Sequence, residues 1–121
     1  MSARTMPSHP DFVAYCCELL APAGAARAKR MFGAHGVYVD DAFVAIVTQD
    51  ALYLKADPES RDRFEAAGGR RFEYTRAGKT QCLEFWTPPA DAMDSPALMQ
   101  PWAQLALAAA LRARAASRRP R

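Results

Sequence analysis

The stretch "KRMFGAHGVYVDDAFVAIV" runs from Lys29 to Val47 and carries the strongest fold signal of the chain. Its two apolar runs are separated by Asp40-Asp41, a pair typical of a tight turn between antiparallel strands. Residues 42–48, after this turn, are apolar at positions that would face both sides of a sheet. We therefore expect a central strand that is covered on both faces.

The Gly-Ala-His-Gly segment at 33–36 could be a catalytic or phosphate-binding loop, or the corner of a sheet. Its spacing fits neither Gly-x4-Gly-Lys-Ser/Thr nor Gly-x-Gly-x-x-Gly, and a strand follows it. His35 could act as a general base, but no serine or cysteine is near it in sequence, and His9 is the other histidine. We interpret the segment as a corner in which Gly33 and Gly36 allow a turn or bulge and His35 is polar. We expect no catalytic, cofactor-binding or metal-binding residue.

Helical periodicity predicts three helices around the strands. The first is expected in residues 9–24, with Asp11 as its N-cap. The second is expected in residues 57–69, with Asp57 as its N-cap and a proline at the first helical position. The last helix should kink or begin at Pro101. Its inward stripe is expected at Leu98, Trp102, Leu105, Ala109 and Arg112.

Two further segments predict strands. Residues 51–56 return beside the central strand, and residues 70–86 form a β-hairpin that turns near Ala77-Gly78. The whole is a largely antiparallel domain of sheet and helices. The side chains expected to be mostly buried are Phe43, Ile46, Leu54, Phe72, Leu83 and Trp102.

Length and composition fit one domain in the cytoplasm. The chain has 121 residues, half of them hydrophobic, and no apolar run approaches the ~20 residues of a membrane helix. The first twelve residues lack the apolar core of a secretion signal. Three cysteines without a C-x-x-C pair indicate reduced thiols, with Cys16 buried, Cys17 at a helix edge and Cys82 in the sheet.

The positive charge of the chain is concentrated at its end. Residues 1–111 have 11 basic and 13 acidic residues, a net charge of −2, whereas residues 112–121 have five arginines and no acid. The sequence pI of about 9.0 is therefore a property of the tail. A general argument from basicity to nucleic-acid binding fails for the rest of the chain.

The order of several motifs resembles the N-terminal domain of the TfoX/Sxy family. Met-Phe-Gly at 31–33, Tyr-Leu-Lys-Ala-Asp at 53–57, Phe-x-Tyr at 72–74 and Trp-Ala at 102–103 follow one another near the family's spacing. The resemblance implies an α+β fold, secretion-chaperone-like, with a mainly antiparallel sheet of five to six strands flanked by helices in the order α-β(3-4)-α-β2-α. It covers residues 10–115, which leaves a flexible N-terminus, 1–9, and a basic tail, 116–121.

The family's best-known members are co-activators in natural competence and transcription, not enzymes, and they add a second helical domain. The resemblance therefore implies a non-enzymatic interaction module with a protein partner, no cofactor and no membrane contact, and leaves a homodimer open. The alternatives are a nucleic-acid-associated protein using the last hairpin and the tail, or a small-ligand-binding protein. The candidate partner or nucleic-acid contacts are Lys55, Arg70, Arg71, Arg76, Lys79, Arg118, Arg119 and Arg121.

Overall fold

The described part of the chain, residues 10–31, 33–48 and 51–118 of a computed structural model, contains three α-helices and six strands. For Arg76 and Arg118 the backbone alone is described. The helices are α1 (Pro10–Leu20), α2 (Arg61–Ala66) and α3 (Pro96–Arg118). The strands are β1 (Ala26–Met31), β2 (Ala34–Val39), β3 (Ala42–Val47), β4 (Leu52–Lys55), β5 (Arg71–Arg76) and β6 (Lys79–Trp86). The expected α+β fold and its order of elements are confirmed.

All six strands form one antiparallel sheet in the order β1-β2-β3-β4-β6-β5. Strand β3 is therefore internal, as expected, and β1 and β5 are the edges. The two predicted tight turns are both present. Asp40 and Asp41 have φ of 50° and 69°, and Ala77 and Gly78 have φ of 52° and 80°. Two consecutive positive φ angles are the signature of the type I′ turn that the right-handed twist of a hairpin favours.

The Asp40-Asp41 turn is tied to the chain that enters β1. The Asp40 amide donates to the Ala25 carbonyl at 2.9 Å, and the Ala25 amide donates to Asp40 Oδ1 at 3.1 Å. A Cβ atom on Gly24 would lie 2.4 Å from Asp40 Oδ2, so the close approach requires glycine. This pair of hydrogen bonds fixes the start of β1 against the β2–β3 hairpin.

The Gly-Ala-His-Gly segment is only in part a corner. Gly33, with φ of 79°, lies in the turn between β1 and β2, as predicted. The prediction is wrong for Gly36 and His35, which belong to strand β2. A Cβ at Gly36 would lie 3.0 Å from the Phe43 ring and 3.1 Å from Met31 Cε, so this glycine makes room for its neighbours.

The helices pack on one face of the sheet and form the core there. A β-bulge opposite Val37 and Tyr38 adds one residue to β3, so that both Val44 and Ala45 belong to this core. The expectation of a strand covered on both faces is wrong for the second face, on which none of the three described helices packs. On the second face of β3, Phe43 is half-buried, and Ile46 is shielded by other strand residues.

Helix α3 packs on the sheet through small side chains. It begins at Pro96, so Pro101 lies inside it and the alternative of a start at Pro101 is wrong. The predicted stripe is also rotated: Leu98 is 47% exposed, whereas Ala106 is fully buried. The buried side chains of this helix are Met99, Ala103, Ala106, Ala109 and Ala110. Of the predicted stripe Ala109 is buried, whereas Trp102, Leu105 and Arg112 are half-buried at its margin. Alanine carries little apolar area, so a pattern weighted by large residues places the centre of the buried face too far to one side.

The prediction of Asp57 as the N-cap of the second helix is wrong, because α2 begins later than expected, and Asp57 instead caps the turn that precedes it. Its Oδ1 atom accepts from the amides of Glu59 at 3.1 Å and Ser60 at 3.2 Å. These bonds close a turn at residues 58–60, and α2 then starts at Arg61 with Ser60 as its N-cap. The Asp11 prediction is wrong, because α1 starts at Pro10 and Asp11 lies in its first turn.

The remaining burial predictions are met in part. Ile46 and Leu54 are buried. The four other expected side chains, Phe43, Phe72, Leu83 and Trp102, are half-buried. Cys16 is fully buried and Cys17 half-buried, as expected, and both thiols are free, as is the exposed Cys82. Burial, with a smaller effect of Cys17, raises the pKa of Cys16 to about 12.

Candidate binding surface

The face of the sheet opposite the helices carries an apolar groove of about 580 Å³. It crosses the sheet from β1 to β5 because side chains that alternate along each strand point to the same face. We call it the sheet groove. Its lining residues are Met31, Ala34, Phe43, Ile46, Phe72, Tyr74, Thr75, Leu83 and Phe85.

Aromatic rings form the walls and floor of the sheet groove in two chains of contacts. The Phe43 ring packs between Tyr38 and Phe85, with centroid distances of 5.2 and 5.4 Å. The Phe72 ring packs between Tyr53 and Tyr74, at 5.0 and 6.1 Å. Ring pairs at these separations stabilise one another beyond their buried area. The groove is therefore a pre-formed surface.

Cations border the sheet groove. Lys55 Nζ lies 5.0 Å from the centroid of the Phe85 ring, and the Arg27 guanidinium lies 5.2 Å from that of Tyr38. Lys29, between Arg27 and Met31 on β1, is exposed and shares their face by strand alternation. Arg27 also contacts Asp41 at 3.1 Å, but both side chains are largely exposed, so this ion pair is weak.

The acid nearest the sheet centre lies on the opposite, helix-bearing face. Glu84 on β6 accepts from Arg61 of α2 at 2.8 Å, from Arg71 of β5 at 3.2 Å and from Trp86 Nε1 at 2.7 Å. Burial raises the pKa of Glu84, but the hydrogen bonds from Arg61 and Trp86 outweigh it and the pKa is lowered. This cluster joins α2 to the β5–β6 hairpin. The side chains of Arg61 and Arg71 therefore stabilise the fold.

A second carboxylate anchors the end of α3. Arg112 donates to Asp57 through Nε at 2.7 Å and Nη2 at 2.9 Å, a bidentate pair, and lies 3.4 Å from Glu59. The hydrogen bond from Arg112 lowers the pKa of Asp57. Arg114 donates to the Asp41 carbonyl at 3.4 Å. The first two arginines of the basic segment thus hold the helix against the rest of the chain.

The candidate contact residues do not form one cluster. Lys55 borders the sheet groove, whereas Arg71 turns to Glu84 on the other face. Arg70 is exposed beside a smaller cavity of about 320 Å³, and its amide donates to Thr87 Oγ1 at 2.9 Å. Lys79 is exposed at the hairpin turn. The backbone of Arg76 and Arg118 lies in β5 and α3, and Arg119 and Arg121 lie outside the described residues, as does the N-terminal segment 1–9.

The sequence reasoning missed the sheet groove. Phe72 and Leu83 are expected in the core, but their alternation with Tyr74 and Phe85 indicates only that each pair shares a face of the sheet. A signal that could have found it is the lack of a fourth amphipathic helix to cover the second face. Three described helices already pack on the first face, so these rings have no helix to cover them.

Within the described ranges, no group of three His, Cys, Asp or Glu side chains is arranged to hold a metal ion. In the same ranges, no helix has the length and apolar character needed to span a membrane.

Fold and surface together define the class of this protein, a small α+β domain with helices on one face of an antiparallel sheet and an apolar groove on the other. Residues 18–110 match the model of the TfoX N-terminal domain. Because the match covers most of the chain, the chain belongs to that family, and the resemblance seen in the sequence is confirmed. No curated protein matches the chain significantly.

Proposed function

We propose that this chain is a non-enzymatic protein-interaction module that holds a segment of a partner protein in the sheet groove. The observation that carries the proposal is the groove itself, a concave apolar surface of about 580 Å³ opposite the helices. On a small domain, a contiguous patch of exposed apolar surface often marks an interaction site. Its aromatic walls are of the kind that anchors side chains of a partner.

The chemistry of the groove supports binding. Its polar lining residues are Tyr74 and Thr75, and the ammonium of Lys55 lies at its border. A nucleophile requires a base within hydrogen-bond reach, and the described lining residues pair no such groups. Thr75 Oγ1 instead lies 3.1 Å from Thr80 Oγ1 in the hairpin.

Family membership suggests the setting of this interaction. As part of the proposal we place the protein in the cytoplasm, with a partner that belongs to transcriptional or competence control. The three free thiols suit a reducing compartment.

The nucleic-acid alternative has less support from the contacts. Arg71 and Arg112, which could have served phosphates, are held by Glu84 and Asp57. Phosphate binding would also be strongly salt-dependent, which separates it from an apolar protein contact.

Site-specific photo-crosslinking tests the proposal. A photoreactive phenylalanine is placed at Tyr74, which lines the groove and is 37% exposed, and as a control at Leu111 on α3, which is 43% exposed. We expect the groove position to give a discrete protein adduct when cells are irradiated, and also when a lysate is brought to high salt before irradiation. We expect the control position to give no adduct. Adducts equal at both positions, or adducts with nucleic acid alone, would contradict the proposal.

A further inference from the structure

The groove-bearing face of the sheet has a one-sided charge. The six strands contain two acidic residues, Glu73 and Glu84. Glu84 binds Arg61 of α2 on the helix-bearing face. Glu73 alternates with the groove residues Phe72 and Tyr74, and its carboxylate lies 3.9 Å from Cys82 Sγ. The described strand residues on the groove face therefore include cations and no acid.

The cations stand on both sides of the apolar floor. Register aligns Lys29 of β1 with Gly36, Ile46 and Tyr53 across the sheet. Lys55 lies two residues beyond Tyr53, so the two lysines are roughly 16 Å apart, three strand spacings across and two residues along. Ile46 lies between them on the floor.

We propose that the sheet groove recognises an acidic segment of a protein, with a large apolar side chain inserted into the groove and carboxylates on both sides of it. The inference rests on the proposed function and specifies the partner's chemistry. In an extended segment the carboxylates would stand about four to six residues apart to meet both lysines. The apolar anchor supplies affinity through buried area, and the charges supply orientation and selectivity.

Charge also argues against other occupants. A second copy of the chain, docked groove to groove, would bring Arg27, Lys29 and Lys55 towards the same cations of its partner, which costs energy. A nucleic-acid duplex would satisfy the cations with its phosphates but would present its sugar–phosphate backbone, and not its bases, to the aromatic floor. A small fatty acid carries one carboxylate and could meet one lysine only.

Three fluorescein-labelled peptides test the proposal. The first has a Leu-Phe-Leu centre flanked by two acidic residues on each side, the second has lysines in place of the acids, and the third keeps the acids around an alanine centre. By fluorescence anisotropy we expect the first to bind about tenfold or more tightly than either of the others, and to weaken with added salt.

Matched charge reversals locate the effect. We expect Lys55→Glu and Lys29→Glu each to weaken binding of the acidic peptide and to strengthen binding of the lysine peptide. The control Arg63→Glu makes the same charge change on an exposed position of α2 and should alter neither. Circular dichroism melting curves of all variants establish that they are folded.

Equal affinity for acidic and lysine peptides, or equal weakening by Arg63→Glu, would overturn the proposal, while a groove-specific protein adduct at position 74 would still support the interaction module. Displacement of the acidic peptide by decanoate with an inhibition constant below the Kd of the peptide would also overturn it and assign the groove to small amphiphiles. Absence of any groove adduct would instead defeat the proposed function.

Discussion

Asp57 is a single carboxylate that serves two parts of the fold. Its Oδ1 atom caps the turn before α2 by accepting from the amides of Glu59 and Ser60. Both of its oxygens also accept from Arg112, 55 residues later in the sequence. A charged acceptor with several donors favours its ionised form, and accordingly the pKa of Asp57 is lowered, most of all by Arg112.

The lowered pKa makes stability depend on acid pH. The folded pKa of Asp57 lies below its ordinary value of 3.8, so its contribution is fully present above that value and is lost as pH falls through the folded pKa. We expect Asp57→Asn to lower the melting temperature at pH 7. We expect the difference from the wild type to shrink as the pH falls below about 4 and through the folded pKa, because the wild-type carboxyl then becomes protonated.

Thermal melts of both proteins across pH check this expectation. Asp62→Asn is the matched control, because Asp62 is exposed in the first turn of α2. A difference between Asp57→Asn and wild type that does not shrink as the pH falls below 3.8 would show that the carboxylate charge is not what stabilises the fold.

Ala77 occupies a backbone conformation that disfavours alanine. Its φ of 52° lies in the left-handed region, at the first central position of the β5–β6 turn. Asn is far better tolerated there, so we expect Ala77→Asn to raise the free energy of unfolding by about 0.5–1 kcal/mol. Urea denaturation measures it. The control Ala113→Asn, exposed in α3, should lower stability by about 0.5 kcal/mol, and a loss of similar size at both positions would refute the turn assignment.

At the scale of elements, the packing of α3 depends on the absence of large side chains on its inner face. Ala103, Ala106 and Ala110 are buried against the core at a spacing of three to four residues. Such a stripe lets the helix backbone approach the sheet closely. The larger Trp102 and Leu105 lie at its margins, and the Trp102 ring packs 5.2 Å from Phe64 of α2.

Overpacking this stripe should be destabilising. Ala106 is fully buried, so we expect Ala106→Leu to lower the free energy of unfolding by about 1–3 kcal/mol. Gln104→Leu adds a similar side chain on the exposed side of the same helix and should change stability by about 0.5 kcal/mol or less. Urea denaturation of the two variants compares them directly. Equal effects would mean that α3 presents a different face to the sheet.

The strands and turns were predictable from the sequence because their signals are local. Asp40-Asp41 and Ala77-Gly78 turn where the chemistry of their residues predicts, and strands β1 to β4 pair in sequence order, whereas β4 then pairs with β6 and not with β5. The face of α3 was not predictable in this way, because the helix is held by alanines that any hydrophobicity pattern ranks low.

The candidate site was predictable only in part. Lys55 was selected as a contact residue and does border the sheet groove. Phe43 and Phe72 are expected in the core but line the groove. Apolar alternation indicates that residues share a face of the sheet, and it does not indicate whether another element covers that face. Tertiary arrangement decides that question, since all three described helices pack on the opposite face.

At the scale of the whole molecule, charge and structure divide along the chain. Helix α3 continues through Arg118, so the first three residues of the predicted basic tail, 116–118, are helical, and Ser117 Oγ donates to the Arg114 carbonyl within the helix. Among the described side chains of the basic segment, those of Arg112 and Arg114 make tertiary hydrogen bonds. For the three residues after Arg118, the prediction of a solubilising tail lies outside the described residues.

Deleting residues 115–121 separates the role of the tail from that of the fold. The deletion removes three arginines, which changes the net charge from +3 to 0, and keeps the Arg112–Asp57 pair. We expect an almost unchanged melting temperature, unchanged binding of the acidic peptide in the sheet groove and lower solubility. If the tail instead holds nucleic acid, the deletion should strongly weaken that binding and reduce its salt slope by up to about three charges, as titrations at several salt concentrations would show. A truncated protein that fails to fold would contradict both expectations, because it would make the end of α3 part of the core.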